Sequence, residues 1–309
     1  MKRDISKKKS VALPDWQFVA IMIITVIVWA FAFPFIRIGL DELSFINLTI
    51  VRFCVVCVAL FAILLLQPKR FSKLHKKDII PIFALGFFGI MVYHFGLNYG
   101  EQYVSPGAAS LIIATIPVFI VVLAFIFLNE RITLKKLLGI VLSLCGVLII
   151  SIWGTRDASI EIEYMFGALA VLVAATMGAL YTVAGKKLLD RYSALSLTTY
   201  AILLGSLGLL PFFSKSLLDE VSAMSTRSWI AAIFLGICST VVGYILWYVA
   251  LKIKTASEVS VYLYAIPILS TIVSYFLFGD EITLLFILGG ALVITGLVMV
   301  NLKNQQKID

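Results

Sequence analysis

Charged residues are scarce: Asp, Glu, Lys and Arg together make up only 14% of 309 residues, and there are just 2 histidines. A soluble domain usually carries about a quarter of its residues as charges, so there is little surface here for water. The four cysteines, Cys54, Cys57, Cys145 and Cys238, all fall inside apolar runs. They imply neither a disulfide framework nor a metal site, and the Cys54-x-x-Cys57 spacing lies mid-helix, away from any redox context. No G-x-x-x-x-G-K-[ST] run occurs, which argues against an ATP-driven machine. No H-E-x-x-H motif or nucleophile–base pair is present, so an intramembrane enzyme is a weak reading. No cofactor and no metal are expected.

What the chain has in abundance is apolar sequence. Hydrophobic residues form 61% of it, and the mean hydropathy is +1.07. This composition describes an all-α integral membrane protein with the lipid bilayer as its first partner. A helix needs about 20 apolar residues to cross the hydrocarbon core. Ten stretches qualify, near 16–36, 45–66, 79–98, 106–128, 134–153, 164–185, 195–213, 228–250, 256–278 and 283–301. The first is too long for a signal-peptide core of about 7–15 residues and is expected to be a retained helix.

The net charge of +8 follows the membrane topology and does not signal nucleic-acid binding. Lys and Arg cluster in the N-terminal tail and in the loops near Lys69–Lys77, Arg131–Lys136, Lys186–Arg191 and Lys252–Lys254, and again at Lys303 and Lys307. Acidic residues collect in the alternate loops: Asp41, Glu42, Glu101, Asp219, Glu220, Asp280 and Glu281. The positive-inside rule then places both termini in the cytoplasm of a multi-pass cell-membrane protein.

The chain also resembles itself. Shifted by 150 positions, Gly86 meets Gly236 and Pro117 meets Pro267. The run Ile132-Thr133-Leu134 with Leu138, Gly139, Leu142 and Gly146 meets Ile282-Thr283-Leu284 with Leu288, Gly289, Leu292 and Gly296. The loop at Glu130–Lys136 is basic, whereas its counterpart at Asp280–Phe286 is acidic. Five spans per copy force the second copy to enter the membrane inverted, a recurring plan of secondary transporters whose substrate site lies between the halves. The expected organisation is a cytoplasmic tail (1–15), a first five-helix repeat (16–153), a second (164–302) and a C-terminal tail (303–309).

The mid-span prolines Pro117 and Pro267 kink equivalent helices, either shaping the bundle or lining a central cavity and letting each half bend. Gly139 and Gly146, like Gly289 and Gly296, share one helix face and predict a close seam between spans five and ten, within one chain or between two. Monomer and homodimer both remain open.

These features together resemble the drug/metabolite transporter superfamily, in its ten-helix EamA branch. The resemblance rests on the two five-helix halves, Pro117 and Pro267, and the paired ends Leu128–Thr133 and Phe278–Thr283 with their glycines. Trp29 and Arg52 fit the family's habit as well. It implies a basket of helices around a central cavity working by alternating access, lined by spans one, three, four, six, eight and nine, with five and ten at the periphery. Many members carry an acidic residue just before the mid-helix proline. This chain has Ile116 and Ile266 there, so coupling through such an acid is not implied.

Candidate substrate contacts are Tyr93 and His94 in span three, a pair similar to one lining the cavity of the family's aromatic amino acid exporters. Their repeat partners direct attention to span eight, where Tyr244, Trp247 and Tyr248 share one helical face. Asn98, Tyr181, Tyr264 and Trp29 complete the set. For Trp247 and Tyr248, an interfacial aromatic belt is the rival reading. Arg52, the one basic residue deep in a span, either meets a substrate carboxylate or serves as a structural residue. Glu258 either couples transport to protons or completes a Thr255-x-x-Glu258 capping box. With only His94 and Glu258 as titrating candidates, uncoupled transport is the expectation. The sequence thus predicts a secondary transporter that exports small amphipathic organic solutes such as amino acids. The alternatives are a proton-coupled multidrug exporter of organic cations and, less well supported, a non-transport scaffold.

Overall fold

In a computed structural model, residues 15–128, 133–153, 162–254, 256–280 and 282–301 are described; all regular structure among them is helical. Seven helical stretches are long and apolar enough to cross a membrane. Shorter apolar helices occupy Leu137–Ile150, Tyr262–Phe278 and Leu284–Gly296.

Two long helices open the chain, α1 (Asp15–Leu40) and α2 (Phe45–Leu66), the second capped by Ser44, which accepts from the Asn47 N–H. Next come α3 (Ile79–Gly86), a π-helical segment (Phe87–Val92) and α4 (Tyr93–Gly100), which form one continuous rod. The following span is broken into α5 (Pro106–Ile113) and α6 (Ile116–Leu128). Ser105 caps α5 by accepting from the Ala108 N–H, and Pro106 opens its first turn, where a missing N–H costs nothing. Helix α7 (Leu134–Trp153) completes the first part.

The second part runs through α8 (Ile162–Leu188), α9 (Ala194–Gly205) with a 3-10 extension (Ser206–Phe212), and the short surface helix α10 (Lys215–Ala223). A second long rod comes next: α11 (Thr226–Ile233), a π-helical segment (Phe234–Val242) and α12 (Gly243–Ile253). The span after it is again interrupted: α13 (Ala256–Ser260), a 3-10 turn (Val261–Tyr264) and α14 (Ala265–Phe278), ended by Gly279 at φ 70°. That left-handed conformation suits a residue without a side chain. The chain finishes in α15 (Leu284–Asn301).

Glycines allow the closest contacts. A Cβ on Gly86 would stand 1.8 Å from the Ala201 carbonyl oxygen of α9. Helices α7 and α15 pack on each other within the chain, as the glycine pattern suggested. A Cβ on Gly146 would lie 2.5 Å from the Gly289 carbonyl, and one on Gly296 would lie 2.4 Å from that of Gly139. These two contacts are reciprocal under the sequence offset. The Ser143 hydroxyl in the same seam donates to the Val293 carbonyl, a residue 150 positions away, at 3.2 Å.

Charge separates by end. At one end, Arg191 pairs with Asp78 at 2.9 Å, and the Lys186 ammonium caps the end of α12 through the Leu251 and Lys254 carbonyls. At the opposite, acidic end, Arg37 of α1 pairs with Asp280 after α14 at 3.1 Å. The Glu220 carboxylate there accepts from the Ser44 N–H at 2.9 Å. Glu42 accepts from both the N–H and the hydroxyl of Ser225, and these bonds hold its carboxyl below the usual range.

Candidate functional site

An internal cavity lies between the two parts of the chain, and its walls repeat the sequence offset. His94 faces it with Tyr244, Leu97 with Trp247, Gly89 with Ser239, Ile113 with Leu263, and Ile116 with Ile266. The free volume between the lining side chains is about 60 Å³. That is smaller than the about 300–1,000 Å³ of sites that hold small organic molecules, so the wall residues must move apart to admit one.

Local breaks in helix geometry put these residues on the wall. Both π-helical segments end one turn or less before the wall residues, at Val92 before His94 and at Val242 before Tyr244. A π turn widens the helix and rotates the residues beyond it to a new phase; such turns recur at functional sites. The two interrupted spans break next to the wall as well. Helix α5 stops at Ile113 and α6 restarts at Ile116, while the 3-10 turn gives way to α14 at Ala265. Pro117 and Pro267, both buried, come directly after these breaks, consistent with their lack of an N–H donor.

Of the residues singled out from sequence, Trp29, Tyr93, His94, Tyr181, Tyr244 and Trp247 meet on the wall. His94 Nε2 lies 3.2 Å from the Tyr244 hydroxyl, 150 positions away. The Trp29 indole donates to the Ser239 carbonyl at 3.0 Å and packs against both Tyr244 and Trp247. Trp247 donates to the Thr182 hydroxyl at 3.3 Å. Trp247 and Tyr248 are buried within the protein, 2% and 0% exposed, which does not fit an interfacial belt.

Three candidates sit elsewhere. Asn98 is turned towards α2, where its amide donates to the Thr49 hydroxyl at 2.9 Å. Tyr248 stacks on Tyr181 at 4.7 Å behind the wall. Tyr264 is partly buried in the 3-10 turn but is not among the lining residues. Glu258 lies in α13, with its side chain outside the described residues, as is Thr255 of the expected capping box.

Two polar residues carry more weight in the structure than their sequence positions suggested. Arg52 of α2, from a span not implied to line the cavity, is on its wall and 1% exposed. Its Nε donates to the Thr240 hydroxyl at 2.8 Å and its Nη2 to the Ser239 hydroxyl at 3.2 Å. Glu101, counted with the loop acids, lies just after α4 at the acidic end and is only 4% exposed. Neither of its carboxyl oxygens has a hydrogen-bond partner among the described residues. Burial pushes this carboxyl well above its usual range, opposed by the charges of Arg37 and Arg52. The only sequence signal for either residue was an ionisable group at a span or its edge. Among the described residues no cluster of His, Cys, Asp or Glu could hold a metal ion.

Comparison with known proteins agrees with this architecture. The sequence matches the EamA-like transporter family twice, over residues 17–152 and 165–302. It is 38% identical to an uncharacterized transporter of Archaeoglobus fulgidus, covering 92% of this chain and 98% of that protein. It is 32% identical to a Streptantibioticus cattleyicolor protein named "Probable terminal-alkyne amino-acid exporter", covering 92% and 93%. A solved crystal structure shares the fold with a TM-score of 0.61 at 19% identity, covering 92% of this chain and 96% of the other. The chain belongs to the EamA-like transporter family of the drug/metabolite transporter superfamily, and it is a multi-pass membrane transporter, not an enzyme.

Proposed function

We propose that this transporter moves small amphipathic organic solutes, amino acids among them, out of the cell by alternating access about the central cavity. The observation that carries the reading is the contact between His94 and Tyr244, equivalent residues 150 positions apart that meet on the cavity wall. A residue that touches its own repeat counterpart lies close to the axis relating the copies. The seam contact of Ser143 with Val293 has the same property. The reciprocal Gly146–Gly289 and Gly139–Gly296 approaches obey the pairing rule of a two-fold interface.

These contacts support ten spans arranged as two inverted halves, and the positive-inside rule supports the basic end in the cytoplasm. A solute held at such an axis contacts both halves equally, so rocking one against the other exposes it to either side. The aromatic walls provide apolar area and His94 a polar contact, suiting an amphipathic molecule. The amino-acid exporter among the relatives favours amino acids as cargo and export as the direction.

Counterflow in proteoliposomes tests this. Vesicles loaded with unlabelled solute are offered trace label from panels of amino acids, nucleobases and organic cations. Uptake of one chemical class, competed by its own members and lost in a His94/Tyr244 double variant, is the expected result. Folded protein that exchanges nothing in the panel would count against the transport reading.

A further inference from the structure

Arg52 is charged, fully buried and makes no salt bridge among the described residues. It lies within the apolar helix α2 and lines the cavity. Its two hydrogen bonds go to neutral hydroxyls, those of Thr240 and Ser239. The Thr240 hydroxyl donates its own proton to the Leu235 carbonyl at 2.8 Å, so it is fixed as an acceptor for the guanidinium. Nη1 has no hydrogen-bond partner at all among the described residues. The nearby acid, Glu101, leaves both its oxygens unpaired there and does not fill the role.

Burying a guanidinium against neutral groups alone is costly, because hydroxyl dipoles replace only part of its hydration. Such a charge inside a membrane protein usually faces a substrate path. The two hydroxyl bonds fix the plane of the fork on one side and leave N–H donors unused on the other. That remaining edge has the planar, paired-donor shape that matches a carboxylate. His94 Nδ1, on the same cavity, is also buried without a partner among the described residues, and the aromatic rings of Tyr93 and Tyr244 supply apolar walls.

We infer that Arg52 is the anchor for a substrate carboxylate, so the cargo is an amphipathic organic acid, amino acids included, and not an organic cation. This rests on the transport reading above and narrows it. The amphipathic acid seats its carboxylate on the free edge of Arg52 and its apolar part among the aromatic rings. Removing the carboxylate removes the counter-charge and leaves the guanidinium buried and unpaired.

The test pairs each acid with its uncharged or cationic analogue on the unmodified protein: L-phenylalanine against L-phenylalaninamide and 2-phenylethylamine, L-leucine against L-leucinamide, and 3-phenylpropionate as an acid without an amine. Each is measured as a competitor in counterflow and as a thermal stabiliser of the purified protein in detergent. Acids that act at concentrations at least tenfold lower than their amides are expected. Arg52→Gln abolishes this preference, Arg52→Lys weakens it, and Glu101→Gln leaves it intact. Amides or amines that match their acids, or a panel in which no acid exchanges or stabilises, overturn the inference. So does an equal loss of preference in Glu101→Gln, which would make Glu101 the partner of Arg52. Exchange without acid preference leaves the transport reading standing, so the two failures are distinct. The comparison on unmodified protein decides the matter even if Arg52→Gln does not fold.

Discussion

At the scale of single residues, the His94–Tyr244 contact is the sharpest prediction. His94→Ala and Tyr244→Ala each remove a polar group of the proposed site; one lost hydrogen bond to the solute, about 1–1.5 kcal/mol, weakens its binding roughly tenfold. Half-saturation of counterflow measures it. Leu65→Ala, at a position on α2 that is 64% exposed, leaves that constant unchanged. Equal behaviour of all three variants would remove the site from the cavity. Tyr93, His94, Tyr244 and Trp247 were legible in the sequence because aromatic and polar side chains stand out in apolar spans. Asn98 and Tyr248 show the limit of that reading. Four residues along a helix leave a rotation of about 40°, enough to turn Asn98 to α2 and Tyr248 behind Tyr181. Arg52 was ambiguous because its hydroxyl partners lie 187 and 188 positions away in the chain, and no local pattern announces them.

At the scale of helices, close packing and local breaks explain the shape of the cavity. The Gly86 approach leaves no room for a side chain, since a Cβ would press on a backbone carbonyl. Gly86→Ala should therefore cost about 1–3 kcal/mol of stability, as overpacking of a tight interior does. Gly290 is the control: a Cβ there meets only Leu111 side-chain atoms at 3.5 Å and beyond, and Gly290→Ala should be neutral or slightly stabilising. Unfolding midpoints in detergent separate the two, and equal shifts would refute the packing argument. The glycine seam and the mid-span prolines were readable from spacing, though kinks were expected where the helices are interrupted. The π-helical segments Phe87–Val92 and Phe234–Val242 were not, because no residue type marks a π turn as proline marks a kink. They arise where packing against neighbours outweighs regular hydrogen bonding.

At the scale of the whole molecule, the apolar runs were the most legible feature. Apolar length and turn residues placed the helices within a few residues, because both are local properties. The ends of the bundle were less legible. Glu101 reads as a loop acid from its position before Gln102 and Ser105, yet the fold encloses it. Three other carboxylates at that end, Glu42, Glu220 and Asp280, all accept hydrogen bonds, whereas Glu101 accepts none among the described residues. The charges facing it are Arg37 from α1 and Arg52 from α2, while Glu163, on the neighbouring α8, is exposed.

That enclosed acid gives the acidic end a dependence on pH. A carboxyl raised by burial favours the buried arrangement at low pH and opposes it as pH rises through its shifted value. If the halves rock as proposed, sealing the acidic end would take up a proton at Glu101, and unsealing it would return that proton to the same solution. Acid on that side should slow its opening, and Glu101→Gln should make exchange insensitive to pH there, as read by counterflow at a series of pH values on that side alone. A response unchanged in Glu101→Gln would assign it to another group. A proton borrowed and repaid on one side does no work across the membrane, so on this expectation Glu101 would throttle the transporter without driving it.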